Sequence, residues 1–418
     1  MVTVGIAAPQ EGEETAEGPP PPWIVRHQRK DGWWSGGSTR STCGLYWPGS
    51  CDDGVQEIRP APLTLTAEDL RWIDRRVESL GGDEIEEREW ASEELASKPE
   101  AASYLQRRLP GIRDPEARTR ATAVLRRFEC WDRDARDLCV TAAAMTALIS
   151  AGYTHLSRES AGIAVRNSAS ALTEAQRADG TFLEPSCPGG VLAQVQAASA
   201  LCELYWMTES ARFRDPAREA LAAMISLQRE DGAWARTASD DAADPITTFF
   251  ACDVLVRARD SRAPLPERAT TRLAAWVESK SRESKSQDLF TILTAILATI
   301  GFRPGTASPL VRGGMDVLHS RLAECKSWGG AEWYAATRCF MLFDGSGGPY
   351  FKALWKLFKE KVVAAQFKGR GECRSGSFPM RSALDRELGP VWSNALVATS
   401  FSIAYYRPGC GCVQAKPG

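Results

Sequence analysis

Two hydrophobic patterns alternate along this chain. In one, apolar residues fall three and four apart, as at Leu221, Met224 and Ile225, so that a single helix face is apolar. In the other, apolar character runs round every face. Six such segments recur, at 140–151, 191–206, 245–258, 288–301, 331–343 and 391–406. A helix that is apolar all round must be covered on all sides. The alternation therefore predicts an all-α fold of six helical hairpins, each pairing an amphipathic outer helix with an apolar inner one.

The joint between the two kinds of helix also repeats. Gln228, Asp231, Gly232 and Trp234 spell Q-x-x-D-G-x-W. Glycine supplies the positive φ that ends a helix. The aspartate ties down free N–H groups of the turn. The tryptophan offers a large flat surface to pack beneath the next hairpin. Asp244 then serves as N-cap and Pro245 as first residue of the following helix. Gln176 to Phe182 repeats the joint with Phe for Trp, and Gln28, Asp31, Gly32 and Trp34 form a third copy. Gln366 with Gly376 and Phe378 makes a fourth, carrying an insertion, and Cys325 to Gly329 reads as a decayed fifth.

These turns resemble the repeat of the squalene-cyclase and protein-prenyltransferase superfamily, and most closely its prenyltransferase/squalene-oxidase-repeat proteins of planctomycetes and myxobacteria. The residues that carry the resemblance are His27-Gln28 with Asp31-Gly32, Val140 to Ala143 leading to Ala151 to His155, Trp333 to Thr337, and Ala395-Leu396 leading to Tyr405 to Arg407. The resemblance implies an (α/α)6 toroid, with six inner helices round a central cavity and six outer helices round them. Since that superfamily hosts several chemistries, the fold does not by itself assign one.

Between the first joint and the first apolar segment the character changes. Residues 63–128 carry charge-rich amphipathic helices: Leu70, Ile73, Val77 and Leu80 share one face behind a Thr66 cap, and a later helix opens at Asp114-Pro115. This reads as a small HEAT-like helical insertion. Residues 1–22 read as a disordered proline-rich tail, 23–62 as the first outer helix and a long loop, 129–407 as the rest of the expected toroid, and 408–418 as a second tail. The net charge of −2 gives no reason to expect a nucleic-acid partner, and no apolar run reads as a transmembrane segment. Twelve cysteines are scattered, several within apolar helices, so reduced thiols in the cytoplasm are expected. A processed N-terminal leader would make the protein exported instead. Cys43 and Cys51 lie in loop sequence, where a disulfide is open to them, and neither their spacing nor that of Cys410 and Cys412 is a zinc signature.

The chemistry that the resemblance implies is not spelled out here. Terpene cyclisation uses D-x-D-D as a proton donor; the nearest carboxylates are Asp132 and Asp134 ahead of the first inner helix. Diphosphate ionisation uses D-D-x-x-D to hold magnesium; Asp240, Asp241 and Asp244 match the letters but fall in a turn. Asp137 and Cys139 offer half of a zinc site with no matching histidine. No cofactor or metal is therefore expected, and the catalytic candidates reduce to Asp132, Asp134, Asp240 and Asp241.

The inner helices offer binding candidates. Asp253 is the only charge between Pro245 and Val256, and Arg338 the only one between Trp333 and Phe343. Gln194, Gln196 and Glu203 add polarity to the second inner helix, and Trp328, Trp333 and Trp392 add aromatic surface. Buried charges need partners or water, so Asp253 and Arg338 either anchor a ligand or pair between helices. The leading expectation is a toroid that binds a hydrophobic, isoprenoid-like molecule or a protein in or on its cavity, without the family's chemistry. The alternatives are a cyclase-like enzyme with unrecognised carboxylates and a protein-interaction scaffold.

Overall fold

The apolar segments dictate where the long helices fall. The computed structural model describes residues 23–34, 66–82, 84–96, 101, 104–105, 108–128, 133–282, 288–302, 309–368 and 376–405. The two expected tails, the loop with Cys43 and Cys51, and Asp132 lie outside the described residues. Among those described, every regular element is helical and none is a strand. The chain divides into two compact units, residues 54–132 and the remainder.

In the larger unit, each apolar segment builds one helix: α5 (Arg133–Ser150), α7 (Gly190–Thr208), α9 (Pro245–Asp260), α11 (Leu289–Phe302), α13 (Gly330–Asp344) and α16 (Pro390–Tyr405). In α7 every residue from Gly190 to Leu204 is buried. Each of these helices packs on the next, α5 on α7, then α9, α11, α13 and α16, and α16 packs back on α5. The six thus contact one another in a closed cycle. The amphipathic helices lie against them: α6 (Ser160–Ala175) on α5, α8 (Ala211–Ser226) on α7, α10 (Glu267–Arg282) and α12 (Pro309–Arg321) on α11, and α14 (Pro349–Lys361) on α13. The short α1 (Trp23–Arg26) touches α6 and α16.

The repeated joint does more than turn the chain. The Gln228 side-chain amide donates to the carbonyl of Gly232 in its own turn and to that of Ala269 on α10, both at 2.9 Å. Gln28 does the same to Gly32 and to Ala164 on α6, and Gln176 to Gly180 and to Pro216 on α8. Each glutamine therefore ties its own turn to the following outer helix. The aspartate accepts the N–H two residues on, at 3.0 to 3.2 Å in three copies. The indole N–H of Trp234 donates to the carbonyl of Met224, and that of Trp34 to Ile24. Replacing Gln228 by alanine removes both bonds and leaves buried carbonyls short of a donor. It should cost about 1–2 kcal/mol, read as a lowered urea midpoint with an unchanged slope.

The segment from Cys325 to Gly329 builds something else. A 3-10 helix over Leu322–Ser327 leads into Gly329, whose φ of −94° is not left-handed. The start of α13 is held instead by the buried carboxylate of Asp385, which accepts the Gly330 N–H at 3.1 Å. Asp385 belongs to the short α15 (Ala383–Leu388).

The smaller unit packs α2 (Ala67–Ser79), α3 (Ile85–Ala96) and α4 (Pro115–Phe128) about one apolar core that includes Ile73, Val77, Leu80, Leu95 and Val124. Thr66 caps α2 in a reciprocal capping box with Asp69. Asp114 accepts the Ala117 N–H at the start of α4. Among the described residues no helix is long and apolar enough to cross a membrane.

Candidate functional site

Aromatic side chains occupy the interior of the cycle. Phe250 on α9 stacks on Tyr334 of α13 with ring centroids 5.7 Å apart, and meets Trp392 of α16 edge-on at 5.9 Å. In the contact order α9 and α16 stand three places apart, so this cluster reaches across the interior. All three residues are buried.

One helical turn beyond Phe250 lies a network of charges. The Asp253 carboxylate accepts the Tyr334 hydroxyl at 2.5 Å and Arg338 Nε at 2.9 Å, and pairs with Arg257 Nη2 at 3.1 Å. Arg257 in turn donates through Nη1 to Glu203 at 2.9 Å and through Nη2 to Ser199 Oγ at 2.6 Å. Three helices, α7, α9 and α13, are thereby joined by two guanidiniums and two carboxylates. Burial opposes the Asp253 charge, but Arg257, Arg338 and the Tyr334 hydroxyl outweigh it and hold the carboxyl below the ordinary range. At Glu203 burial wins and the carboxyl is raised, with Arg257 and Arg338 offsetting only part of it. The Tyr334 phenol is raised by burial and by Asp253.

Asp253 and Arg338, singled out as lone charges on separate helices, are thus brought into direct contact. Gln194 has a different place. Its amide accepts the Phe182 N–H at 3.1 Å and donates to the carbonyls of Gly180 and Ala220, which anchors the second joint to α7. Thr141, Thr248 and Asn394 hold Trp34, Trp234 and Phe378 by the same kind of bond. Trp328 and Trp333 pack on one another, and Trp333 meets Phe358 of α14, which places that pair between the inner and outer layers. Trp392 alone of the three tryptophans joins the interior cluster.

Among the described residues the carboxylates considered for catalysis are not gathered. Asp134 is exposed near the start of α5, and Asp240 and Asp241 are exposed in the loop before α9. There Asp240 accepts the Thr237 N–H, and Arg229 donates to the carbonyls of Asp240 and Asp241 at 2.9 and 2.8 Å. Asp244 is taken up by its cap, accepting the Thr247 N–H at 2.8 Å. Asp241 also borders a cleft of about 960 Å³ with Asp231, Trp276, Lys280 and Asp288. Asp137 pairs with Arg29 at 3.2 Å, and burial lifts the Cys139 thiol far above its ordinary value, so this pair offers no thiolate. Among the described residues no group of three or more His, Cys, Asp or Glu side chains is placed to hold a metal ion.

Tyr334 and Arg257 were not among the expected site residues, although each stands four residues from one that was. Glu332, at the third position of α13, accepts the Gly329 N–H at 2.9 Å, and burial raises its carboxyl to about 7. No protein-family model matches the chain, and no curated protein matches it.

Proposed function

We propose that this chain is an α/α toroid of the squalene-cyclase and prenyltransferase type that binds a ligand or partner and does not carry out the family's cyclisation or prenyl transfer. The supporting observation is the state of its buried acids. Four carboxylates are buried among the described residues, those of Asp137, Glu203, Asp253 and Asp385. Each is taken by a guanidinium or by backbone N–H groups. A cyclase acid has to sit as a neutral carboxyl beside an apolar cavity, ready to give its proton to an alkene. Asp253 is the acid nearest the aromatic interior, and its partners stabilise the carboxylate instead. Burial raises the Glu332 carboxyl to about 7, but that carboxyl is engaged at the start of α13, where it accepts the Gly329 N–H.

The reading predicts no product when the purified chain is incubated with squalene or with farnesyl diphosphate and magnesium. Extracts analysed by mass spectrometry should return substrate only. Product formation that disappears in Glu332→Gln or Asp253→Asn would replace the binding reading by the enzymatic one. Native mass spectrometry of the folded chain should show a non-covalent adduct or a bound partner.

A further inference from the structure

Two donors at the charged end of the interior have no acceptor among the described residues, Arg257 Nε and Gln196 Nε2. Both residues are well buried, with Gln196 4% and Arg257 8% exposed as whole residues. They are related through Ser199, which stands one helical turn beyond Gln196 and is held by Arg257. Gln196, Ser199 and Glu203 follow at three- and four-residue spacing on one face of α7. Arg257 reaches over from α9 to hold both Ser199 and Glu203. A buried N–H left without an acceptor is destabilising, because it has given up its hydrogen bond to water. Two of them related through Ser199 form a site that an incoming acceptor stabilises.

We propose that this end of the interior binds the carboxylate of a small organic acid through Gln196 Nε2 and Arg257 Nε. Two donors from two neighbouring helices suit the two oxygens of one carboxylate. Charge narrows the ligand class further. Two guanidiniums and two carboxylates balance, so the ligand adds its charge to a neutral network. A doubly charged phosphate would set two more negative charges beside Asp253 and Glu203, which is a costly arrangement. Burial is not uniform over the network: the Asp253 side chain is at 0%, while Glu203, Arg257 and Arg338 rise to 6%, 9% and 11%. This inference deepens the binding reading and rests on it.

Binding is coupled to a proton. Glu203 faces Arg257 and Asp253 from α9 and Arg338 from α13; the two arginines favour its charged form and Asp253 opposes it. A bound carboxylate adds a second opposing charge, so Glu203 takes up a proton from solvent as the ligand enters. The affinity consequently falls as pH rises through the Glu203 titration.

Titration calorimetry of the full chain with butyrate and with inorganic phosphate, at about pH 5.5 and about pH 8, tests this. One butyrate per chain should bind, at least about fivefold tighter at the lower pH, with proton uptake visible when buffers of different ionisation enthalpy are compared. Gln196→Leu should weaken butyrate about tenfold while leaving Tm unchanged or higher, because it removes an unpartnered donor. Glu203→Gln, a neutral isostere of the protonated acid, should bind equally at both pH values. Absence of saturable butyrate binding by the unaltered chain overturns the site, as does tighter binding of phosphate. A Gln196→Leu variant that loses stability but keeps affinity also overturns it, since the amide is then structural. None of these failures bears on squalene turnover, so the non-catalytic reading is judged separately.

Discussion

Replacing Gly232 by alanine should remove on the order of 4 kcal/mol of stability, one of the two largest effects expected of a single substitution here. Two costs add. The residue has φ +95°, a conformation that L side chains rarely adopt and that carries about 1–3 kcal/mol of strain. In addition, the new Cβ would lie 2.0 Å from the Arg272 carbonyl oxygen and 2.4 Å from its carbon on α10. Backbone cannot rotate away as a side-chain tip can, so α10 must shift. That shift stretches the bond from Gln228 to Ala269 and disturbs the packing of Leu273, which is fully buried. Gly32 and Gly180 share both features, with backbone oxygens of Asn167 and Glu219 at 2.6 and 2.3 Å. Gly313 supplies the control, because it is exposed within α12 and a Cβ there meets nothing within 4 Å. Alanine at 313 should be neutral or stabilise by up to about 1 kcal/mol. Urea unfolding of the two variants separates the cases, and equal midpoints would show that the joint does not clamp the outer helices.

The joint was legible in sequence because its chemistry is local. Glutamine, aspartate and glycine at fixed spacing name a helix end and a left-handed turn before any tertiary contact is known. The second half of its work was not legible. That Gln228 reaches Ala269, or that Gln194 serves the preceding joint, depends on which helices come to lie side by side. Gln194 stood out as a polar residue in an apolar helix, which is equally the mark of a ligand contact. The recurrence of a polar side chain in the inner helices, Thr141, Thr248 and Asn394, was the available signal, and its separation from the aromatic residue of its turn varies from copy to copy, so spacing alone does not reveal it. The charged network divides in the same way. Asp253 and Arg338 were visible as isolated charges, and their pairing was one of two readings left open. Arg257 was hidden because an arginine near a helix end normally reaches solvent. Tyr334 was hidden because aromatic residues at helical spacing usually pack.

Asp253→Asn is the other substitution with a large expected effect. It leaves Arg257 and Arg338 buried with Glu203 as their only carboxylate, and removing one partner of a buried pair typically costs about 3–5 kcal/mol. Arg338→Met should cost less, since Asp253 keeps Arg257 and the Tyr334 hydroxyl. The double variant restores the balance of one arginine and one glutamate. It should therefore be more stable than Asp253→Asn alone, with a coupling on the order of 2 kcal/mol in the double-mutant cycle. The pH dependence gives an independent check. The folded-state Asp253 carboxyl lies below its unfolded value, so its contribution is fully present above the ordinary aspartate range and is lost as pH falls through the folded value. The gap in stability between the unaltered chain and Asp253→Asn should accordingly be widest near neutrality and close on strong acidification. Glu203 has the opposite sign: its raised carboxyl contributes below the unfolded glutamate value and loses that contribution as pH rises through the folded one. Glu203→Gln should then improve stability at high pH relative to low pH. Additive single effects, with no recovery in the double variant, would mean that the four charges are held apart by water and do not form one network.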